Sequence, residues 1–288
     1  MALEQSSMIS RSGLGRLAGL TRPSANIGRR IVLHRRLTME LAKRELLDRY
    51  AGQIIGSAWA VLHPLLTLLV YLFLFGTVLK LKIPAAGNAS GDFTIYLLAG
   101  LLPWLVMQDI AGRAATLIVS QAHLVKQVAF PLEVLPIKAI PPALVILAVG
   151  LVTLLIYTLA TTGGLAWTYI LLPLPLILLV MLCTGIALGL SALGVFMRDL
   201  KDVVQLAIFV GLYVSPVFYT VDAVPAALRP ILLANPFSYM VLTFQDVLYY
   251  GAIIHPLAWV IYTAISVAAF VAGSWIFVKT QHFFGSHL

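Results

Sequence analysis

The sequence predicts an all-α integral membrane protein with six transmembrane helices, an amphipathic N-terminal interface helix and a re-entrant external helical hairpin before the last span. Three observations predict it. Hydrophobic residues fill 61% of the 288 positions and charged residues only 10%, against roughly a quarter charged in soluble domains. The apolar residues come in runs of about 20, the length a helix needs to cross a hydrocarbon core of about 30 Å. Runs such as 65–79 and 143–160 lack the apolar–polar alternation of a spanning β-strand, which leaves helices.

Taken in order, residues 1–28 read as a flexible basic cytosolic tail, and the first 53 residues hold no apolar run of the kind a signal peptide needs. Residues 29–53 interleave Leu33, Leu37, Leu41, Leu46, Leu47 and Tyr50 with Arg35, Arg36, Lys43, Arg44 and Arg49. That pattern is a helix lying on an anionic leaflet, each basic residue contributing about 1 kcal/mol. The transmembrane domain runs over 54–278, with spans at about 54–79, 93–119, 137–160, 169–195, 203–220 and 256–278. Six crossings put both termini on one side, which then carries sixteen of the nineteen Lys and Arg; Lys80, Lys82 and Arg229 are left opposite. Basic loops resist translocation, so that side is the cytosol, and 279–288 form a second cytosolic tail.

The stretch 221–255 holds Pro225, Pro230 and Pro236 among Asp222, Arg229 and Asp246. A seventh crossing there would move Lys279 outside. One apolar stripe, Phe237, Met240, Val241, Phe244 and Leu248, favours short helices dipping in from the outer face. Backbone at that depth has to be buried in protein or line a cavity, which points to a gate. On the fourth span, Gly185, Gly189 and Gly194 allow close approach to a neighbour.

Several chemistries are missing. No lysine follows a glycine, so the chain lacks a phosphate loop for ATP. The eleven acidic residues are scattered, and the six histidines show no metal-ligand spacing, so no catalytic or metal residues are assigned. Asp109 is the carboxylate deepest in a span, and Arg113 four residues on is placed to pair with it as a structural unit. Cys183, alone in an apolar run, is a packing residue. The net charge of +8 is explained by sidedness and needs no nucleic acid. What remains is a membrane scaffold whose energy comes from elsewhere.

Four segments resemble the membrane subunits of type-2 ATP-binding-cassette exporters for O-antigen, capsular polysaccharide and teichoic acid. Arg44, Leu46, Arg49, Tyr50, Gly56, Trp59, Pro64 and Leu65 match a basic surface helix entering the first span. Lys126, Val128, Phe130, Pro131, Glu133 and Pro136 match the coupling loop, at about 120–136, that docks on the ATPase. Arg198, Asp199 and Leu200, then Ser215 to Tyr219, match the fourth loop and the outer end of the fifth span. Asn235, Pro236 and Phe237, ending at Tyr249, Tyr250 and Gly251, match the external hairpin.

The resemblance implies two copies of this chain with two cassette ATPase subunits, which bind ATP and Mg while this chain binds no cofactor. It also implies a bacterial inner membrane location and a lipid-linked polysaccharide passing between the copies. The expected ATPase-coupling residues are Lys126, Val128, Phe130, Pro131 and Glu133 with Arg44 and Arg49. Sugar faces stack on aromatic rings, so Trp59, Tyr71, Tyr213, Phe218 and Tyr219 are the expected channel residues. The expected external gate residues are Pro236, Phe237, Phe244, Tyr249 and Tyr250. Two alternatives stay open: a membrane enzyme acting on polyprenyl-linked glycans, and an exporter of drugs or lipids from the same superfamily.

Overall fold

The computed structural model describes residues 27–49, 53, 56–79, 83, 91–127 and 130–287. The basic tail through residue 26, Tyr50, Lys80, Lys82 and Val128 lie outside the described residues. A helical stretch over 27–33 leads into α1 (Arg35–Arg49), then α2 (Trp59–Tyr71), which widens into a π-helix over Leu72–Leu79. Then come α3 (Phe93–Ala114), the short α4 (Ala122–Gln127), α5 (Ile140–Thr162), α6 (Pro173–Gly194), α7 (Leu200–Val214), α8 (Pro236–Gln245) and α9 (Pro256–Thr280).

Local chemistry sets many of these boundaries. Pro173, Pro236 and Pro256 open α6, α8 and α9, where a missing N–H costs nothing because the first turn has no acceptor for it. Asp92 caps α3 by accepting from the Thr94 amide at 2.8 Å. Gly163 ends α5 at φ 74°, a left-handed turn that glycine enters without strain.

Five helical stretches are long and apolar enough to cross a membrane: Trp59–Leu79, Phe93–Ala114, Val134–Thr162, Pro173–Gly194 and Pro256–His287. They establish a multi-pass membrane protein. The fifth predicted span, 203–220, is covered by α7, whose 15 residues reach only about 22 Å at 1.5 Å per residue. A turn from Ser215 to Tyr219 extends it. Together they follow α3 for most of its length: Gln205 reaches the Gly112 carbonyl at 3.4 Å, Gly211 lies against Trp104, and the Tyr96 hydroxyl meets the Pro216 carbonyl at 2.9 Å.

The centre of the bundle is α3, which buries seventeen of its 22 residues. On one side α8 runs back along it, with Phe237 edge-on to Trp104 at 5.9 Å and Tyr249 edge-on to Tyr96 at 5.3 Å. Gly100 between them leaves room for Val241 and Gln245. So α8 starts halfway down α3 and climbs toward its N-terminal end. The predicted apolar stripe is the buried face of this climb: Met240, Val241, Phe244 and Leu248 are all inside. On the other side, the glycines of α6 do what their spacing predicts. A Cβ at Gly185 would fall on the carbonyl of Ala269 in α9, and one at Gly194 on the carbonyl of Ala115.

Candidate functional site

At the basic end of the bundle, α1 leans on the spans through charges. Arg113 donates from Nη1 to Glu45 Oε1 at 2.7 Å and pairs through Nη2 with Asp109. Lys138 Nζ lies 3.3 Å from the other Glu45 oxygen, and Arg49 Nη1 3.7 Å from Asp109. The predicted Asp109–Arg113 pair is therefore real but is only part of a five-residue cluster. Beside it, a cavity of about 420 Å³ takes its polar lining from Arg49, His63, Gln108 and Asp109 and its apolar lining from Leu68, Leu102 and Leu105.

The expected coupling residues divide by direction. Lys126 on α4 and Arg44 on α1 are exposed, Arg44 lying 3.7 Å from Asp48. Phe130 and Pro131 are half-buried. Glu133 points inward: it is only 4% exposed and lies 3.9 Å from Arg30. Arg49 also faces inward, toward Asp109. Sequence reading passed over Glu45 and Lys138, since nothing local marks a glutamate on α1 as the partner of a lysine 93 positions later.

Of the expected channel residues, the structure gathers three. Tyr213 stacks on Phe218 with ring centroids 5.8 Å apart, and the Tyr219 hydroxyl donates to the Tyr213 carbonyl at 2.6 Å. Phe209, which the sequence reading missed, extends the row edge-on to Tyr213 at 5.4 Å; its spacing of four residues on one helix was the available signal. Trp59 and Tyr71 lie apart, half-buried on α2, Tyr71 stacking on Phe75 at 6.2 Å.

At the opposite end, the expected gate residues are mostly buried. Pro236 is exposed and Phe237 half-buried, whereas Phe244, Tyr249 and Tyr250 are buried. The Pro216 carbonyl accepts from Gln245 Nε2 at 2.9 Å, which ties the end of α7 to α8. After α8 the helix widens into a π-turn over Asp246–Tyr250, a form that leaves carbonyls poorly paired. Thr168 and Tyr169 reach across to Val247 and Leu248 at 2.7 and 3.0 Å and supply donors. Asp246, fully buried, accepts from the His255 amide at 3.1 Å and from Trp259 Nε1 at 3.0 Å, with His255 Nδ1 at 2.8 Å. Asp246 thus ties the π-turn to the start of α9.

Among the described residues, no three His, Cys, Asp or Glu side chains gather as a metal ion would need. The described structure is thus a multi-pass bundle of helices with a five-residue charge cluster at the Arg113 end of α3 and a row of rings along the mostly unburied α7. The family model described as ABC-2 type transporter matches residues 36–249, and the chain belongs to that family. It is 26% identical over 256 residues to the O-antigen export system permease protein RfbA of Klebsiella pneumoniae, covering 88% of this chain and 95% of that one. Its identity to the RfbA of Myxococcus xanthus is 27% over 262 residues, 90% of this chain and 98% of the relative. The polysialic acid transport protein KpsM of Escherichia coli is 25% identical over 208 residues, 72% of this chain and 79% of KpsM.

Proposed function

We propose that this chain is the permease subunit of an ATP-driven exporter that moves a lipid-linked polysaccharide, O-antigen first among candidates, from the cytosol through a channel between two copies of itself. The observation that carries this reading is the row Phe209, Tyr213 and Phe218. The helix that bears its first two rings, α7, buries only Val204 and Ile208. Aliphatic residues left outside, such as Val152 and Ile156 on α5, are satisfied by lipid tails. Rings in a row offer faces on which sugar C–H groups stack with little directional demand, so a polymer slides past them. The names of the relatives above support a polysaccharide cargo.

In this reading α7 and its turn form the fifth of six crossings, both termini lie in the cytosol of a bacterium, and α1 rests on the inner surface of its cytoplasmic membrane. The loop at 120–136 receives a separate cassette ATPase, which binds ATP and Mg, and residues 221–255 cap the exit. The course of α8, which starts at the level of Trp104 and climbs, supports a hairpin that dips and returns. Deleting the gene is expected to leave long glycan on its lipid carrier inside the cell; normal surface glycan in the deletion strain would remove this reading.

The half-buried Phe130 beside Pro131 has apolar surface that a docked partner would cover. Phe130→Ala is expected to lower export and the glycan-stimulated ATPase rate by about tenfold, equivalent to roughly 1.4 kcal/mol, with normal membrane levels. Export at the parental rate would take Phe130 out of the coupling surface. For the topology, an alkaline phosphatase fusion after Tyr250 is expected to be active, since that enzyme works only outside the cytosol. An inactive fusion present at full length would overturn the six-crossing arrangement.

A further inference from the structure

Charges set against apolar spans persist where they meet partners. The five at the basic end come from three separate stretches: Glu45 and Arg49 on α1, Asp109 and Arg113 on α3, and Lys138 at the entrance to α5. Glu45 is the hinge of the set. One of its oxygens accepts from Arg113 at 2.7 Å and the other lies 3.3 Å from Lys138. The Lys138 side chain is only 7% exposed and that of Glu45 18%, so water screens this pair far less than a surface pair. At the other end of the same segment, buried Glu133 lies 3.9 Å from Arg30. Val134, Leu135, Pro136 and Ile137 between the two ties are buried. The segment 133–138 is therefore tied to α1 through Lys138, with the longer and more exposed Arg30–Glu133 contact at its other end, and it follows closely on Phe130 and Pro131.

We propose that Glu45 clasps the surface helix and the segment 133–138 into one moving part, so that a push received at Phe130 is delivered through α1 to Arg113 and Asp109 on the central helix. Without the clasp, the same push would be taken up by local bending of the loop. Glu45 and Lys138 are positioning residues: they touch neither cargo nor nucleotide and act by keeping two elements in register. The proposal rests on the reading of Phe130 as the docking point, and the two fail differently. An inert Phe130→Ala ends the docking reading, whereas an impaired Phe130→Ala alongside an inert Glu45 variant ends the clasp alone.

The test uses the transporter assembled with its ATPase in vesicles, where export and ATP hydrolysis are measured together. Glu45→Gln is expected to lower export about tenfold, the scale of coupling losses along a mechanical path, while hydrolysis stays within about twofold. A second variant carries Glu45→Cys and Lys138→Cys, the native Cys183 being buried and out of reach of reagent. It is expected to export poorly until a short bifunctional thiosulfonate joins the two cysteines, to recover in part when they are joined, through the Arg49–Asp109 contact that α1 keeps with the central helix, and to fail again on reduction. Export and hydrolysis falling in equal proportion in Glu45→Gln would overturn the clasp. So would parental export by that variant, or export that stays low once the cysteines are joined.

Discussion

Gly185→Val is expected to destabilise the folded chain by about 3 kcal/mol or more, the top of the usual range for overpacking. The reason is what the new side chain meets. Its Cβ would fall on the Ala269 carbonyl and the Phe270 amide, which are helix backbone with no rotamer to yield. At the same crossing a Cβ on Gly273 would strike the Gly185 carbonyl, so α6 and α9 pack backbone to backbone and neither can back away cheaply. Gly189→Ala is the built-in comparison. Its Cβ would sit 3.4 Å from the Gly273 Cα, an ordinary contact, and the variant is expected to melt close to the parent. Thermal unfolding in detergent, followed by loss of the monodisperse peak, separates the two. A Gly185→Val midpoint within about 2 °C of the parent would contradict this packing account.

Asp246→Ala is expected to cost about 3 kcal/mol, the scale of breaking a buried charged contact. The carboxylate is wholly enclosed and takes bonds from His255 and Trp259, so removing it leaves those donors facing a void as well. The start of α9 would then lose its tie to the hairpin, and export is expected to fall more than stability alone explains. Asp246→Asn should cost only about 1 kcal/mol. Its amide oxygen can accept from the His255 amide and Trp259, while its NH₂ donates to His255 Nδ1 if the ring keeps its proton on Nε2. Melting curves and export assays on the pair test this. Equal losses in both variants would mean that the negative charge itself, and not the hydrogen-bond pattern, holds the hairpin.

Some of this was legible in the chain because it is local. Asp109 and Arg113 are four residues apart on one helix and meet as that spacing predicts. The stripe Met240, Val241 and Phe244 is buried on one face of α8 because a helix repeats every 3.6 residues wherever it sits. Other features depended on neighbours far along the chain. The expected gate residues Tyr249 and Tyr250 pack against Tyr96, and Glu133, expected at the ATPase, lies 3.9 Å from Arg30, contacts that no local pattern announces. Aromatic and charged residues have the same composition signature whether they face a partner or pack inside.

By itself, then, the sequence determined that this chain crosses a bilayer repeatedly as helices, and it placed five long apolar helices and the glycine contacts. Hydropathy and backbone satisfaction are settled within a single segment, without reference to the rest of the fold. Only the tertiary structure decided which charges meet. Arg113 finds Glu45 across 68 positions because α1 folds back along α5 and the segment 134–137, which brings its side chains within reach of the end of α3. Over the fifth predicted span the structure has a shorter helix, α7, followed by a turn. Its end is pinned by Tyr96 and Gln245, two side chains from other helices. Such pairings depend on how the helices pack, and no window of sequence contains that.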